Sequence, residues 1–302
     1  MNLFRRLFGR RKTPAPPVAV PVAPVAVPTL PSLEVERRHL DGHYLLPKDL
    51  DETNRLNFQH FALRSAIEVN YLAPIANPRE ILDVGTGSAI WSHELAQEFP
   101  SANVIGLDLE EGKGVAASPP NFEFVQGNLL EGLPFEDNRF DFVHQRLLIG
   151  ALPASAWPLV IKDLARVTCP GGWVELVESD GDGFKPAGPA TEKITQGVIQ
   201  IAARMGIDTR ITATLATLMK DAGLVNVQSR ILRMPVGDWG GRLGSLMKTD
   251  MAAIEMSFKD GFLKLLNYTP QEFDALLEAV KQEWETYHSS YIFYFYFGQK
   301  PR

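Results

Sequence analysis

The chain has 302 residues, of which 45% are hydrophobic, 22% charged and 10% aromatic, the balance of an ordinary globular protein. These values exclude a collagen-like or coiled-coil protein, and the single cysteine, Cys169, excludes a disulfide framework and a cysteine-rich zinc site. The net charge is −6, but residues 1–12 carry five basic and no acidic side chains, which leaves 25 basic against 36 acidic residues elsewhere. We therefore expect no nucleic-acid partner, because phosphate neutralisation by Lys and Arg drives that binding.

The N-terminal part of the sequence divides into a basic head and a tether. Residues 13–31 are almost entirely Pro, Ala and Val, which predicts a semi-stiff extended segment with no core of its own. The head, residues 1–12, combines Leu and Phe with arginines, so two interpretations stay open: a disordered tail, or a short amphipathic element that makes a weak peripheral membrane or partner contact. We expect residues 1–32 to be disordered and residues 33–302 to form the folded domain.

Membrane insertion is not expected from the sequence. No stretch reaches the roughly 18 uninterrupted apolar residues that a membrane-spanning helix needs, so we expect no integral membrane segment. A single cysteine fits a reducing compartment, and the sequence therefore predicts a cytoplasmic protein.

Strands and helices alternate through the middle of the chain. A helix is predicted between Thr53 and Pro74, because apolar residues recur there at helical spacing. A short buried strand, 80–84, then runs straight into a glycine-rich turn, and a helix at about 89–99 follows. Strands that alternate with helices of this length indicate a doubly wound α/β fold, with a mostly parallel sheet covered on both faces. Further strands are predicted at 103–107, 122–126, 140–144 and 172–178, with a helix between the last two.

The last third contains two more strands and a helical insertion. Strand 223–234 follows a helix at about 212–221, and the aromatic run 291–297 is predicted as an antiparallel last strand, which makes seven. The insertion, at about 238–290, is predicted to form a lid over an apolar acceptor, and packing of its helices against the sheet is the alternative. Its apolar residues are Met247, Met251, Met256, Phe258, Phe262, Leu263 and Leu266.

The turn after the first predicted strand has the features of a ligand site. Ligands of an open parallel sheet bind beyond the carboxyl ends of its strands, where Gly85 and Gly87 let the backbone approach the ligand. The free amides of the following helix attract negative groups. Asp108 ends the next strand, 23 residues after Gly85, and is placed to accept both hydroxyls of a ribose. Together these features predict a cofactor that contains adenosine.

Two residues favour S-adenosylmethionine over a dinucleotide. The dinucleotide motif needs a third glycine where this chain has Ile90. Asp83 would repel phosphates, whereas S-adenosylmethionine carries an ammonium and a sulfonium group and needs no phosphate cradle. The alternative for Asp83 is a structural residue that fixes the glycine loop by bonding its amides.

Five motifs follow one another along the chain: Ile81-Leu-Asp-Val-Gly-Thr-Gly-Ser88, Val104-Ile-Gly-Leu-Asp108, Phe124-Val-Gln-Gly-Asn128, Phe140-Asp-Phe-Val-His144 and Pro170-Gly-Gly-Trp-Val-Glu175. With these motifs in this order, residues 33–302 resemble a class I S-adenosylmethionine-dependent methyltransferase. Segments 44–60 and 146–150 are similar to those of secondary-metabolism methyltransferases common in fungi and of related bacterial enzymes. The resemblance implies a Rossmann-like sheet and methyl transfer from that cofactor.

The resemblance also implies cofactor contacts for ten residues. Gly85 and Gly87 would pass under the methionine part with Asp83 near its amine, and Asp108 would hold the ribose diol. Asn128 stands where the family often has Asp, and its amide oxygen can still accept a hydrogen bond from the adenine amino group. The ten residues are Tyr44, Asp83, Gly85, Gly87, Asp108, Leu109, Asn128, Leu129, Gln145 and Arg146.

The candidate general base is His144, at the end of the fourth predicted strand, because histidine can take a proton near neutral pH. The alternative is a histidine that is hydrogen-bonded within the sheet end. His60 is weaker, since a packing role explains it equally well, and the same holds for His43. Glu178 and Asp180 can contact a cation or an acceptor hydroxyl, or can belong to a solvated loop. No group of ligand-type residues has metal-binding spacing, so no metal is expected.

We expect methyl transfer to a small, fairly apolar acceptor, and the sequence favours oxygen as the acceptor atom. The fourth strand ends in His144-Gln-Arg-Leu147 and not in the Asn/Asp-Pro-Pro-aromatic sequence of many enzymes that methylate amino groups of nucleobases and glutamine. Two alternatives stay open: a regulatory protein that binds the cofactor and acts through partners, and an NAD-linked oxidoreductase. Ile90 argues against the oxidoreductase.

Overall fold

The computed structural model describes residues 50–112 and 118–302, which form a seven-stranded sheet with helices on both faces. The predicted head and tether, residues 1–32, lie outside the described residues. The strands in chain order are β1 Glu80–Val84, β2 Asn103–Asp108, β3 Phe122–Gln126, β4 Phe140–Arg146, β5 Thr168–Lys185, β6 Val225–Pro235 and β7 Ser290–Gln299. Across the sheet their order is β3-β2-β1-β4-β5-β7-β6.

Eight α-helices connect these strands within the described part of the chain. They are α1 Leu50–Ile67, α2 Ile90–Glu98, α3 Trp157–Val167, α4 Pro189–Arg204, α5 Thr212–Asp221, α6 Gly241–Ser257, α7 Lys259–Leu265 and α8 Pro270–Thr286. Two short 3-10 helices, Leu129–Glu131 and Asp238–Gly240, complete the elements. Over the described ranges, none of the helices combines the length and the apolar character that crossing a membrane requires.

Strand pairing confirms the predicted fold class. β1 pairs in parallel with β2 and β4, and the parallel set continues to β3 on one side and to β5 on the other. β7 is antiparallel to both of its neighbours, β5 and β6. β1 and β2 are almost wholly buried, which is the pattern of parallel strands covered by helices on both faces.

Successive side chains of β1 point into different layers of the core. Leu82 shares a buried cluster with Trp157 of α3 on one face, whereas Ile81 shares a cluster with Trp91 of α2 on the other. Because strand side chains alternate with a period of two, Asp83 faces the α2 side, two residues after Ile81. This alternation places a carboxyl group inside the sheet–helix interface, directly before the glycine turn.

β5 is much longer than the predicted strand 172–178. At its start, the Pro/Gly sequence predicts a turn, but the chain bulges there and stays paired, with Phe140 opposite Thr168 and Phe142 opposite Trp173. At its other end, β5 continues because β7 extends beside it, and Lys185 pairs with Ser290 after a second irregularity. The residues that follow Glu178 therefore belong to the strand and not to a loop.

The helical insertion packs as part of the core. Met247, Met251 and Phe262 are at most 2% exposed and share a cluster with Phe273 and Trp284 of α8. Since α6 and α7 lie against α8, the packing alternative holds for these three side chains, and they do not line an open acceptor pocket. The other predicted lid residues, Met256, Phe258, Leu263 and Leu266, pack on the same cluster.

A buried polar contact ties this insertion to the first helix. Arg55 of α1 donates from Nη1 to Oδ1 of Asp250 on α6 at 2.9 Å, and Gln59 donates to Oδ2 of Asp250 at 3.1 Å. Arg55 and Asp250 are both almost fully buried. One carboxylate thus joins the insertion to the element that covers the carboxyl edge of β4.

Glu255, five residues further along α6, has a different environment. The residue is 6% exposed, and its Oε2 atom has no hydrogen-bond partner among the described residues. Burial raises the pKa of this carboxyl to about 8. The folded chain therefore keeps a proton there at neutral pH.

Replacing Glu255 should change how stability depends on pH. Between about pH 4.5 and pH 8 the unfolded chain releases a proton that the folded chain retains, so wild-type stability falls as pH rises, by ~1.4 kcal/mol for each unit crossed. In Glu255→Gln this pH-dependent contribution is absent. The free energy of unfolding of the variant, measured with urea, should therefore rise relative to that of wild type between pH 5 and pH 8. Glu278→Gln, at an exposed site beside Lys281, is the control and should follow wild type. Parallel curves for wild type and Glu255→Gln would contradict the assignment.

Candidate functional site

The turn between β1 and α2 needs glycine for two reasons. Gly85 and Gly87 have left-handed backbone conformations, with φ values of 72° and 56°. A Cβ atom on Gly85 would also lie 2.7 Å from Cδ2 of Leu148. The Gly85 amide donates to the carbonyl of Leu107 at 2.8 Å, which fastens the turn to β2. The backbone is therefore held in place at the carboxyl end of β1.

Asp108 lies at the edge of this turn. Its Oδ2 accepts from the Gly87 amide at 2.8 Å, and its Oδ1 accepts from the Leu109 amide at 2.7 Å. Leu109 is 43% exposed beside the carboxylate. Three of the predicted cofactor residues, Gly87, Asp108 and Leu109, are thus brought together by direct contacts.

Asp83 is a buried hydrogen-bond acceptor with donors from three elements. It is 3% exposed, and it accepts from Oγ1 of Thr86 at 2.8 Å, Oγ of Ser92 at 2.6 Å and Nδ1 of His144 at 2.9 Å. Burial acts to raise the pKa of this carboxyl, but the hydrogen bonds, that of His144 first, hold its pKa below the usual range. A negative charge is therefore fixed beneath the glycine turn.

Sequence reasoning did not identify Thr86, Ser92 or Trp91. The expected structural role of Asp83 was to bond the loop amides, whereas its partners are the hydroxyls of the turn and of the first turn of α2. Short hydroxyl side chains at these two positions were the available signal, because a buried carboxylate needs donors nearby. Trp91 gave no such signal, since its contact with β4 depends on how α2 lies on the sheet.

The end of β4 carries His144, Gln145 and Arg146. His144 is 1% exposed, and its ring stacks on Trp91 with the centroids 3.8 Å apart and the planes 9° from parallel. Gln145 is fully buried, on the opposite face of the strand. Arg146 is half-buried, with Nη2 3.3 Å from Nδ1 of His60, and none of the described carboxylates lies within ion-pair distance of it. A cationic group thus stands at the carboxyl edge of the sheet.

The acidic residues of β5 do not form a solvated loop. Glu178 is fully buried, and its two carboxyl oxygens accept from the amides of Leu148 and Ile149 at 2.9 and 3.1 Å. Burial outweighs these bonds and raises the pKa of Glu178 to about 8. Oδ2 of Asp180 accepts a hydrogen bond from Oγ1 of Thr212 at 2.8 Å. The solvated-loop alternative is therefore wrong for Glu178. Its carboxyl group binds the amides of Leu148 and Ile149, and the side chain of Leu148 packs on Gly85.

Asn128 follows the strand next to Asp108 and caps a 3-10 helix. Its Oδ1 accepts from the Leu130 amide at 3.0 Å, and its Nδ2 donates to Glu131 at 3.0 Å. Leu129 is half-buried in this helix. The structure therefore brings Asn128 and Leu129 to the same edge as Asp108, while Tyr44 and His43 lie outside the described residues. None of the described His, Cys, Asp and Glu residues are grouped to hold a metal ion.

The residues at this edge fit a nucleoside with a positively charged tail. The turn and the start of α2, residues 85–92, contain no Lys or Arg that would bind a diphosphate. The buried negative charge of Asp83 lies directly beneath the turn, where it favours a cation. Asp108 offers acceptor oxygens at the position expected for a ribose.

Comparison with known proteins identifies the family. A family described as a methyltransferase domain matches residues 81–172. Methyltransferase str3 of Strobilurus tenacellus is 30% identical over 214 residues, an alignment that covers 68% of this chain and 75% of str3. The chain belongs to the class I S-adenosylmethionine-dependent methyltransferases. The predicted family is confirmed, as are its cofactor and its relation to secondary-metabolism methyltransferases of fungi, and the NAD-linked alternative is wrong.

The chain is similar to two further proteins. The N-methyltransferase gliN of Aspergillus fumigatus is 25% identical over 272 residues, which covers 85% of this chain and 96% of gliN. A chain of a solved Haloferax volcanii complex that contains the Trm112 methyltransferase activator is 14% identical, with a TM-score of 0.50 over 84% of this chain and 95% of that chain. The second similarity concerns the fold alone.

An alanine at position 85 should destabilise the methyltransferase. The left-handed backbone costs a side chain ~1–2 kcal/mol, and the contact with Leu148 adds to this cost. In wild type, Gly85→Ala should lower the free energy of unfolding, measured with urea, by the sum of both costs. In a Leu148→Ala background the same substitution should cost only the part that comes from the left-handed backbone. If Gly85→Ala left the stability unchanged in both backgrounds, the turn would not hold its left-handed conformation.

Proposed function

We propose that this methyltransferase methylates a small, fairly apolar acceptor at an oxygen atom, with the cofactor held at the glycine turn. Asp83 would lie near the amine, Gly85 and Gly87 would pass under the methionine part, and Asp108 would bind the ribose hydroxyls. The observation that carries this assignment is the Asp108 carboxylate, which is hydrogen-bonded to the Gly87 amide at the edge of the turn. The bound cofactor would supply an electrophilic methyl group on a sulfonium, which becomes a neutral thioether on transfer.

Further residues would complete the cofactor site at both of its ends. Leu109 and Leu129 would contact the adenine, and Asn128 would accept a hydrogen bond from its amino group. The Oδ1 of Asn128 already accepts from Leu130, but a carbonyl oxygen has a second lone pair. Gln145 and Arg146 would lie beside the methionine part, as would Tyr44, whose placement is outside the described residues.

Three observations support a small apolar acceptor. The body of the chain is acidic, which disfavours nucleic acid. β4 ends without the Asn/Asp-Pro-Pro-aromatic sequence. The segment that leaves β4, Leu147 to Ile149, is apolar and half-buried, so the edge where a methyl group would be transferred is lined by apolar side chains. A site of this kind mainly holds its two reactants in a near-attack geometry.

Nitrogen is the second candidate for the acceptor atom, because the similar protein gliN is named as an N-methyltransferase. An oxygen acceptor that must lose its proton would need a base, whereas a neutral amine would not. An acidic oxygen acceptor that is ionised before it binds needs no base either, so the proposed oxygen acceptor does not depend on His144.

Removing the Asp108 carboxylate should abolish measurable cofactor binding. Asp108→Ala loses both charged hydrogen bonds to the ribose hydroxyls, so the affinity for S-adenosylhomocysteine should fall by about a hundredfold or more, below what the titration detects. Isothermal titration calorimetry measures the change. Glu110→Ala, two residues further on at an exposed position, is the matched control and should bind like wild type. If Asp108→Ala bound S-adenosylhomocysteine as tightly as wild type, the proposal that Asp108 binds the ribose would be wrong.

The acceptor atom can be read from the product. Incubation with cofactor that carries a ¹³C-methyl group and a metabolite extract of the source organism should yield a labelled apolar small molecule. Its ¹³C–¹H correlations should show a methyl group on oxygen. A methyl group on nitrogen would favour the second candidate, and label in protein or nucleic acid only would contradict a small acceptor.

A further inference from the structure

The pair formed by His144 and Asp83 is part of the sheet itself. The two residues are direct neighbours in the register of β4 and β1, and both side chains face α2. Nδ1 of His144 lies 2.9 Å from Oδ1 of Asp83, and the residues are 1% and 3% exposed. This contact is therefore buried and is fixed by strand pairing.

The protonation of the pair follows from its surroundings. His144 and two hydroxyls surround the Asp83 carboxyl and hold its pKa below the usual range, so it is ionised, and an ionised carboxylate can only accept. Nδ1 of His144 must then carry the hydrogen. Burial lowers the pKa of His144 below its usual value, and the nearby Arg146 and His60 lower it further against the opposing effect of Asp83. At neutral pH the imidazole is uncharged and donates to Asp83.

Other side chains cover His144 on the sides from which an acceptor would approach. Trp91 stacks on one face of its ring, at 3.8 Å. Arg146, two residues further along β4, is the next side chain on the same face of the strand and is nearer the carboxyl edge. His60 of α1 contacts Arg146 at 3.3 Å, so a second element lies over this position. A general base must reach within hydrogen-bond distance of its substrate, and these side chains block that approach.

We propose that His144 is a positioning residue, whose Nδ1–H holds the Asp83 carboxylate in the orientation that the amine of the cofactor requires, and that it is not a general base. The inference rests on the cofactor site proposed above. Without this donor, one oxygen of a buried carboxylate would lose its hydrogen-bond partner, and Asp83 would turn or take up a proton. Either change would weaken binding of the cofactor before any acceptor is present.

Two variants separate positioning from base catalysis. The side-chain amide of Asn can stand where Nδ1–H stands, so His144→Asn keeps a donor for Asp83 but has no basic nitrogen. His144→Phe keeps an aromatic ring against Trp91 but has no donor. His93→Phe is the matched control. His93 is another buried histidine, but it lies on α2 and its ring makes an edge-on contact with Phe122, with the centroids 4.5 Å apart.

The primary measurement is the affinity for S-adenosylhomocysteine by calorimetry, with no acceptor present. His144→Phe should bind at least tenfold more weakly than wild type, whereas His144→Asn and His93→Phe should stay within about threefold of it. Once an acceptor is known, His144→Asn should also retain turnover. Wild-type affinity in both His144 variants, with turnover lost in both, would overturn the proposal in favour of a general base.

Two further outcomes keep the test decisive. If His144→Phe does not fold, as judged by thermal unfolding, comparison of wild type with His144→Asn still separates the roles, because a base requires loss of turnover without loss of affinity. If wild type binds S-adenosylhomocysteine and Asp108→Ala does not, the cofactor site stands, and equal affinity of all His144 variants then refutes only the positioning role. Absence of binding by wild type would instead refute the proposed site.

Discussion

The structure around the glycine turn depends on one buried carboxylate, that of Asp83. Transfer of a carboxylate from water into a protein interior costs several kcal/mol unless donors replace the lost water. Here the donors come from the turn, from α2 and from β4, so the bonds that stabilise the charge also fix three elements relative to β1. A rigid negative charge at this point suits a cofactor that carries an α-ammonium and a sulfonium group.

Buried acids elsewhere in the chain show how donors decide the state of a carboxyl group. The pKa of Asp83 is held low by an imidazole and two hydroxyls, whereas burial raises the pKa of Glu255, which has an unpartnered oxygen, to about 8. Glu178 accepts from two amides, and its pKa still rises to about 8 because burial is the larger effect. The chain therefore keeps one of these acids charged at its ligand edge and the others neutral within its packed interior.

Much of the fold and the ligand edge could be predicted from the sequence. Strands β1 to β4 are short apolar runs bounded by glycine or charge. The proposed cofactor residues Gly85 and Asp108 lie directly after or at the end of a strand, so local patterns locate them. Helix α4 was not predicted, because its buried face includes Thr191, Thr195 and Gly197 and so lacks a clear apolar period. The burial of the Glu178 carboxyl was not predictable either, since it depends on the segment after β4 folding over it.

The contacts of the polar residues depend on packing that no local pattern records. The stacking of Trp91 on His144 requires α2 to lie on the sheet at one particular height. Thr86 and Ser92 can bond many neighbours in a chain, and only the closed turn makes Asp83 their partner. Spacing can therefore indicate which residues meet at the edge, but the division of roles among them follows from the folded chain.

The Asp250 contact couples the helical insertion to the first helix. Asp250 lies in the insertion, and two of its partners, Arg55 and Gln59, belong to the first helix. A chimera that took residues 238–290 from a relative would bring a new residue opposite Arg55 and leave a buried guanidinium without this carboxylate. The first helix and the insertion therefore form one structural unit, and a graft of the insertion must transfer the first helix with it.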